Sequence, residues 1–86
     1  MSDIELLKRA REILGVTQEQ LAKALDVTLT TVGRWESGTR KPSDSVFKSI
    51  LALIVERIDA TVDRQNFIDE TVERLKQKRK EGANNK

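Results

Sequence analysis

The 86-residue chain contains no cysteine and no histidine. Without cysteine there is neither a disulfide framework nor a thiolate zinc site, and nothing in the sequence points to an oxidising compartment. Without histidine, general-base chemistry near neutral pH needs a carboxylate or a lysine whose pKa is moved far from its usual value in a deep pocket. A chain of this length has little room for such a pocket, so we expect no enzyme, no metal site and no cofactor.

Long apolar runs are also missing. The longest, at 50–55, has six residues, whereas a membrane-spanning helix needs roughly 18. Asp3 and Glu5 stand where a secretory signal would carry basic residues. We therefore expect a cytoplasmic protein that does not associate with membranes.

Charge is unevenly distributed along the chain. Residues 1–42 hold 7 basic and 6 acidic side chains, residues 43–73 hold 3 and 7, and residues 74–86 hold 6 and 1. A nearly neutral first half is thus followed by an acidic segment and a basic end. The basic run near the end is interpreted as a solvated helix end, with contact to DNA or to a partner as the alternative. It consists of Arg74, Lys76, Lys78, Arg79 and Lys80.

Four glycines and one proline divide the chain into predicted helices. Ser2 and Glu5 have the spacing of a capping box, and the helix that they begin is predicted to end at Gly15. The next two predicted helices, 18–25 and 29–37, are short, and three residues separate them. Helices joined by so short a turn cross at a steep angle, which indicates a helix-turn-helix motif.

Caps and inward residues support these two short helices. Thr17 and Gln20 form a second predicted capping box, and Thr28 is the predicted N-cap of the third helix. Val32 and Trp35 have the spacing of inward positions. Core packing is therefore preferred for Trp35 over stacking on a nucleic-acid base.

The pattern after Pro42 predicts two further helical segments. The fourth helix begins after Ser43 and is apolar on two faces, which indicates a position central to the domain or against a second chain. A fifth segment extends to about residue 80, either continuous with the fourth or separate from it. Its apolar stripe forms either intramolecular core or a dimer interface, and the dimer is preferred. The predicted dimer or partner surface consists of Leu51, Ile58, Phe67, Ile68, Val72 and Leu75.

Three stretches are typical of one protein family: T-Q-E-Q-L-A at 17–22, V-G-R-W-E-S-G at 32–38 and R-K-P-S at 40–43. They resemble the phage repressor/Cro-type helix-turn-helix family, also called the Xre family, over about residues 5–55. The resemblance implies an all-α, lambda-repressor-like domain of four to five helices. It also implies a transcriptional regulator, a repressor in our interpretation, that binds specific double-stranded DNA sequences as a homodimer in the cytoplasm, at the nucleoid.

The resulting domain organisation has three parts. Residues 1–58 form the predicted DNA-binding domain, and residues 59–81 form a C-terminal helical extension for dimerisation or partner binding. The tail at 82–86 is predicted to be disordered.

In this family, the second helix of the motif contacts base edges in the major groove with its N-terminal residues. The base contacts carried over by position are Leu29, Thr30 and Arg34. Arg34 matches guanine as a fork, Thr30 donates or accepts, and Leu29 contacts a thymine methyl group. Because many family members are polar at the position of Leu29, methyl readout or a weaker readout is expected here. The phosphate contacts carried over are Thr17, Gln18, Ser37, Thr39, Arg40 and Lys41.

Three more residues have structural or functional interpretations. Arg11 and Glu36 resemble the family's internal ion pair, and a forked bond to a carboxylate would satisfy an arginine on the apolar side of a helix. Gly33 lies inside a predicted helix, where glycine costs about 1 kcal/mol relative to alanine. It either admits a close approach of the DNA backbone or is simply tolerated.

The alternative hypothesis is a protein-interaction module of the same fold, antitoxin-like, with weak or no DNA binding and a C-terminal segment that captures a protein partner. Arg34, Arg40 and Lys41 argue against it, and the nearly neutral first half argues mildly for it. Salt dependence separates the two, because DNA binding weakens as salt rises whereas apolar helix capture does not. Phage repressors, restriction-modification controllers and antitoxins are of similar size, and the sequence does not choose between them.

Overall fold

The structure is a computed structural model that describes the backbone of residues 2–84 and the side chains of residues 2–77. Within that part of the chain there are five helices and no strand. The helices are α1 (Asp3–Leu14), α2 (Gln18–Leu25), α3 (Leu29–Ser37), α4 (Asp44–Arg57) and α5 (Val62–Asn84). The predicted all-α, helix-turn-helix architecture is confirmed. No helix among the described residues is long and apolar enough to cross a membrane.

Local chemistry sets the bounds of the first three helices. Both predicted capping boxes are present, at the starts of α1 and α2. The Thr28 hydroxyl accepts the backbone N–H of Thr31 at 3.1 Å and caps α3. Gly15 and Gly38 follow α1 and α3 with φ of 67° and 84°, a left-handed conformation that glycine adopts without steric cost. The predicted bounds of α2 and α3 are therefore confirmed.

The core fills the space between all five helices. Trp35 is only 4% exposed, so core packing is confirmed as its role. The other buried apolar side chains are Leu6, Leu7, Ala10, Leu21, Ala22, Val32, Phe47, Ile50, Ile54 and Phe67.

α4 and α5 are separate helices. Ile58 ends α4 in an extended conformation, with φ −113° and ψ 130°. Thr61 then caps α5, because its hydroxyl accepts the backbone N–H of Arg64 at 3.1 Å. The Arg64 guanidinium donates in turn to the Ile58 carbonyl at 2.7 Å. This turn lets the chain reverse so that α5 packs back on α1 and α4.

The C-terminal end of α5 differs from the prediction. The helix continues to Asn84, so residues 82–84 are helical instead of forming part of a disordered tail. Residues 85 and 86 lie outside the described part of the chain.

The predicted dimer or partner surface is largely occupied inside the monomer. Phe67 is 2% exposed and belongs to the core, so assigning it to an intermolecular surface was wrong. Its burial, worth about 1.5–3 kcal/mol, holds α5 on the domain. Three other members of the surface, Leu51, Ile58 and Leu75, are half-buried against the same core. Ile68 and Val72 are also half-buried.

Arg74 joins α5 to the first turns of α1 and α4. Its guanidinium donates to both carboxylate oxygens of Asp3, at 2.6 and 3.0 Å, and to Asp44 at 2.9 Å. It also lies over the ring of Phe47, 4.2 Å from the centroid. The hydrogen bonds with Asp3 raise the pKa of Arg74 and outweigh the effect of burial, so the cation is retained. The interpretation of Arg74 as part of a solvated helix end was therefore wrong.

The remaining members of that basic run are less constrained or lie beyond the described side chains. Lys76 is exposed, as a solvated helix end requires. The side chains of Lys78, Arg79 and Lys80 lie outside the described part of the chain.

Thr71 is expected to destabilise the interface of α5. It is fully buried, and its hydroxyl has no hydrogen-bond partner among the described residues. A buried hydroxyl without a partner costs about 1–3 kcal/mol. Thr71→Val removes the hydroxyl at nearly constant volume, so the melting temperature followed by circular dichroism should rise by about 4–8 °C. Thr71→Ser keeps the hydroxyl and should give no such gain; an unchanged or lower melting temperature for Thr71→Val would contradict this interpretation.

Candidate nucleic-acid interface

α3 has one buried face and one face open to solvent. Val32 and Trp35 anchor the buried face in the core. The three side chains predicted to contact bases, Leu29, Thr30 and Arg34, are all exposed. They share the solvent face of the N-terminal two turns of α3. The guanidinium of Arg34 has no hydrogen-bond or ion-pair partner within the described part of the chain, and so it is available to a ligand.

A buried ion pair fixes the other end of α3. Arg11 Nε donates to Glu36 Oε2 at 2.6 Å and Arg11 Nη2 donates to Glu36 Oε1 at 2.9 Å, which gives the forked geometry that the resemblance implied. The Glu36 side chain is 4% exposed and that of Arg11 is 26% exposed. Gln18 Nε2 donates to Glu36 Oε1 at 3.1 Å. One carboxylate therefore ties α3 to both α1 and the start of α2.

The environment of Glu36 keeps its carboxylate charged. Burial acts to raise the pKa of Glu36, but the hydrogen bonds from Arg11 and Gln18, with the positive charge of Arg11, lower the pKa by more. The same hydrogen bond raises the pKa of Arg11. Because the pKa of Glu36 is lower in the folded chain than in the unfolded chain, its stabilisation is complete above the unfolded pKa and is lost as pH falls through the folded pKa.

The start of α2 retains free backbone donors. In its capping box, the backbone N–H groups of Thr17 and Gln20 are paired with side-chain oxygens. The N–H groups of Gln18 and Glu19, the first two residues of the helix, have no intrahelical acceptor. They stand at the positive end of the helix dipole, where a phosphate is favoured. The Gln18 side chain, expected to bind a phosphate with its amide, already donates one amide hydrogen to Glu36.

The turn after α3 uses several of its own donors. The backbone N–H groups of Thr39 and Arg40 donate to the Arg34 carbonyl at 3.0 and 3.3 Å. The hydroxyls of Ser37 and Thr39 donate to the same carbonyl at 3.2 and 3.3 Å. Of the predicted phosphate contacts in this turn, Arg40 and Lys41 therefore have the freest donors: both are exposed, and neither is in an ion pair with any residue that the structure describes.

Sequence reasoning missed the two interactions that orient this surface from behind. The bond from Gln18 to Glu36 left no signal, since it depends on how α2 crosses α3. Arg74 did leave one: it follows Phe67 by seven residues and Thr71 by three, so all three lie on one face of α5. An arginine on the same face as a buried aromatic residue is a candidate for burial with a carboxylate partner.

Comparison with known proteins bears on the same region. A family model described as helix-turn-helix matches residues 7–54, more than half of the chain. The match takes in most of α1, all of α2 and α3, and most of α4, and it leaves α5 outside. It therefore contains Arg11, Glu36 and the exposed face of α3. No curated protein and no solved structure gives a significant match.

Proposed function

Because the chain belongs to the helix-turn-helix family of DNA-binding regulators, we propose that it recognises a specific double-stranded sequence in the major groove as a homodimer and acts as a repressor. One observation carries the proposal. α3 presents Leu29, Thr30 and Arg34 to solvent while its opposite face is fixed in the core and by the Glu36 carboxylate. A helix held in this way enters a groove with little ordering cost, which favours affinity.

The base and phosphate contacts divide between two kinds of residue. Arg34 is suited to guanine O6 and N7, and Thr30 to either a donor or an acceptor on a base edge. The N-terminus of α2 and the side chains of Arg40 and Lys41 are suited to phosphates on either side of the groove. Phosphate contacts set the register of α3, and base contacts select the sequence.

The proposed dimer uses apolar side chains that the monomer leaves partly exposed around the end of α4. Val55 is 54% exposed and Val62 is 76% exposed, and Leu51 and Ile58 beside them are half-buried. A second copy of the chain that covers this patch gives an isologous interface, and a two-fold dimer matches inverted half-sites. A small protein that occupies such a site blocks other proteins from it, which supports repression.

The hypothesis of a partner-capturing C-terminal segment loses its proposed surface. Phe67 is in the core, and Arg74 holds α5 to Asp3 and Asp44. A partner helix would have to displace α5 from the domain before it could bind the stripe.

Salt dependence tests the proposed function. Affinity for a duplex enriched from a random pool should fall linearly with salt on a log–log plot. Arg40→Gln and Lys41→Gln should weaken binding to all duplexes alike and should each reduce the slope by about 1. Lys48→Gln is the matched control, because Lys48 is exposed beside Val72 and Leu75 of α5, away from α3.

The two possible failures have different meanings. Affinity that is independent of salt in the wild type would contradict DNA binding through phosphates. A salt-dependent wild type with unchanged slopes for Arg40→Gln and Lys41→Gln would retain DNA binding but remove the turn after α3 from the phosphate contacts.

A further inference from the structure

The exposed face of α3 carries a glycine that the fold does not require. Gly33 has helical backbone geometry, and a Cβ atom built on it meets no heavy atom within 4 Å. Gly15 and Gly38 differ from it, because their φ angles of 67° and 84° are strained for any other residue. Glycine is also less favourable than alanine inside a helix. The space at Gly33 therefore serves no packing need of the described chain.

An exposed leucine stands beside this space. Leu29 precedes Gly33 by four residues, so the two positions are neighbours on the same helix face. The Leu29 side chain is 48% exposed although it is large and apolar. Together the two residues form a shallow apolar recess, which we call the Leu29–Gly33 notch: Leu29 forms its wall, and the bare backbone at Gly33 leaves it open.

The chemistry of the major groove restricts what can fill the notch. Hydrogen-bond donors and acceptors cover most of each base edge, and the C5-methyl group of thymine is the apolar exception. A polar edge placed against Leu29 would lose water without gaining a bond, which is unfavourable. A methyl group placed there is transferred from water to an apolar contact, which is favourable.

We propose that the Leu29–Gly33 notch is a specificity determinant that accepts the C5-methyl group of a pyrimidine in the bound DNA. The inference rests on the proposed function and adds to it, because it gives Gly33 a role and assigns an apolar contact beside the polar ones of Thr30 and Arg34. Thymine and 5-methylcytosine both carry this methyl group, so the test must distinguish them.

The test uses duplexes that differ by single methyl groups. In the sequence that wild type selects from a random pool, each thymine in turn is replaced by uracil, and each cytosine in turn by 5-methylcytosine. Wild type should lose about fourfold in affinity per methyl removed at one symmetric pair of thymines, as expected for burial of one apolar carbon. Leu29→Asn, which removes the wall, should bind the thymine and uracil duplexes equally.

Gly33→Ala gives the sharper comparison, because its added methyl group should occupy the notch. It should bind the thymine duplex more weakly than wild type does, and substituting uracil should remove most of that deficit. Its melting temperature should equal or exceed that of wild type, because nothing in the fold obstructs the new Cβ atom. A general disturbance of α3 would instead weaken binding to both duplexes by the same factor.

The outcomes are separable. Equal affinity of wild type for all duplexes would overturn the proposal, and so would a deficit of Gly33→Ala that is the same with thymine and uracil. A gain with 5-methylcytosine and no loss with uracil would support the notch and identify methylated cytosine as the source of the methyl group. If wild type selects no sequence, the proposed function itself fails before the notch is tested.

Discussion

Glu36→Ala is expected to lower the free energy of unfolding by about 3 kcal/mol or more, which corresponds to a fall of over about 10 °C in melting temperature. The Glu36 side chain is 4% exposed and receives hydrogen bonds from both nitrogens of the Arg11 fork and from Gln18. Its removal leaves a guanidinium on the apolar side of α1 without its counter-charge. Thermal and urea unfolding followed by circular dichroism measure the effect.

Three comparisons define the origin of that loss. Arg11→Ala with Glu36→Ala should cost less than the two single changes together, since the residues are directly paired. Glu12→Ala removes an exposed carboxylate from α1 and should change stability by no more than about 0.5 kcal/mol. As pH falls through the lowered pKa of Glu36, wild type should lose stability that Glu36→Gln never has, so the two should converge in acid. An unchanged melting temperature for Glu36→Ala would remove the ion pair from the explanation of how α3 is held.

Arg34→Ala is expected to weaken binding to the selected duplex by about 10- to 100-fold and to relax its preference at one symmetric pair of positions. The Arg34 guanidinium is exposed and has no partner in the described chain, so the substitution should leave the melting temperature unchanged. Arg34→Lys should keep the charge and much of the non-specific affinity but should not restore the preference, because lysine lacks the planar fork. Titration of the duplex and of single-position variants gives both quantities.

Arg57→Ala is the matched control, since Arg57 is exposed at the far end of α4. It should leave affinity and preference unchanged. If Arg34→Ala instead weakened all duplexes by one common factor, Arg34 would contact a phosphate and the assignment of a base contact would be wrong.

The parts of the fold that the sequence predicted well are those that depend on neighbouring residues. Caps at Ser2, Thr17 and Thr28 act within three or four residues, and Gly15 and Gly38 end their helices through their own backbone conformation. The bounds of α2 and α3 follow from these local effects. The exposed positions of the site follow in turn from the helical period of α3.

The position of α5 was less predictable because it depends on where the chain turns. The turn rests on a cap by Thr61 and on a side chain, Arg64, that reaches back to the Ile58 carbonyl. Once the chain reverses there, Phe67 enters the core and Arg74 meets Asp3, 71 residues away in sequence. Apolar periodicity cannot distinguish this outcome from a helix that buries the same face against a second chain.

Selection of bound sequences from a random duplex pool by the wild-type protein is the most direct test of regulator function. The structure and the family predict an enriched inverted repeat, with half-sites about one DNA turn apart and a preference at the position that Arg34 contacts. Failure to enrich any sequence, even at low salt where phosphate contacts are strongest, would contradict sequence-specific DNA binding.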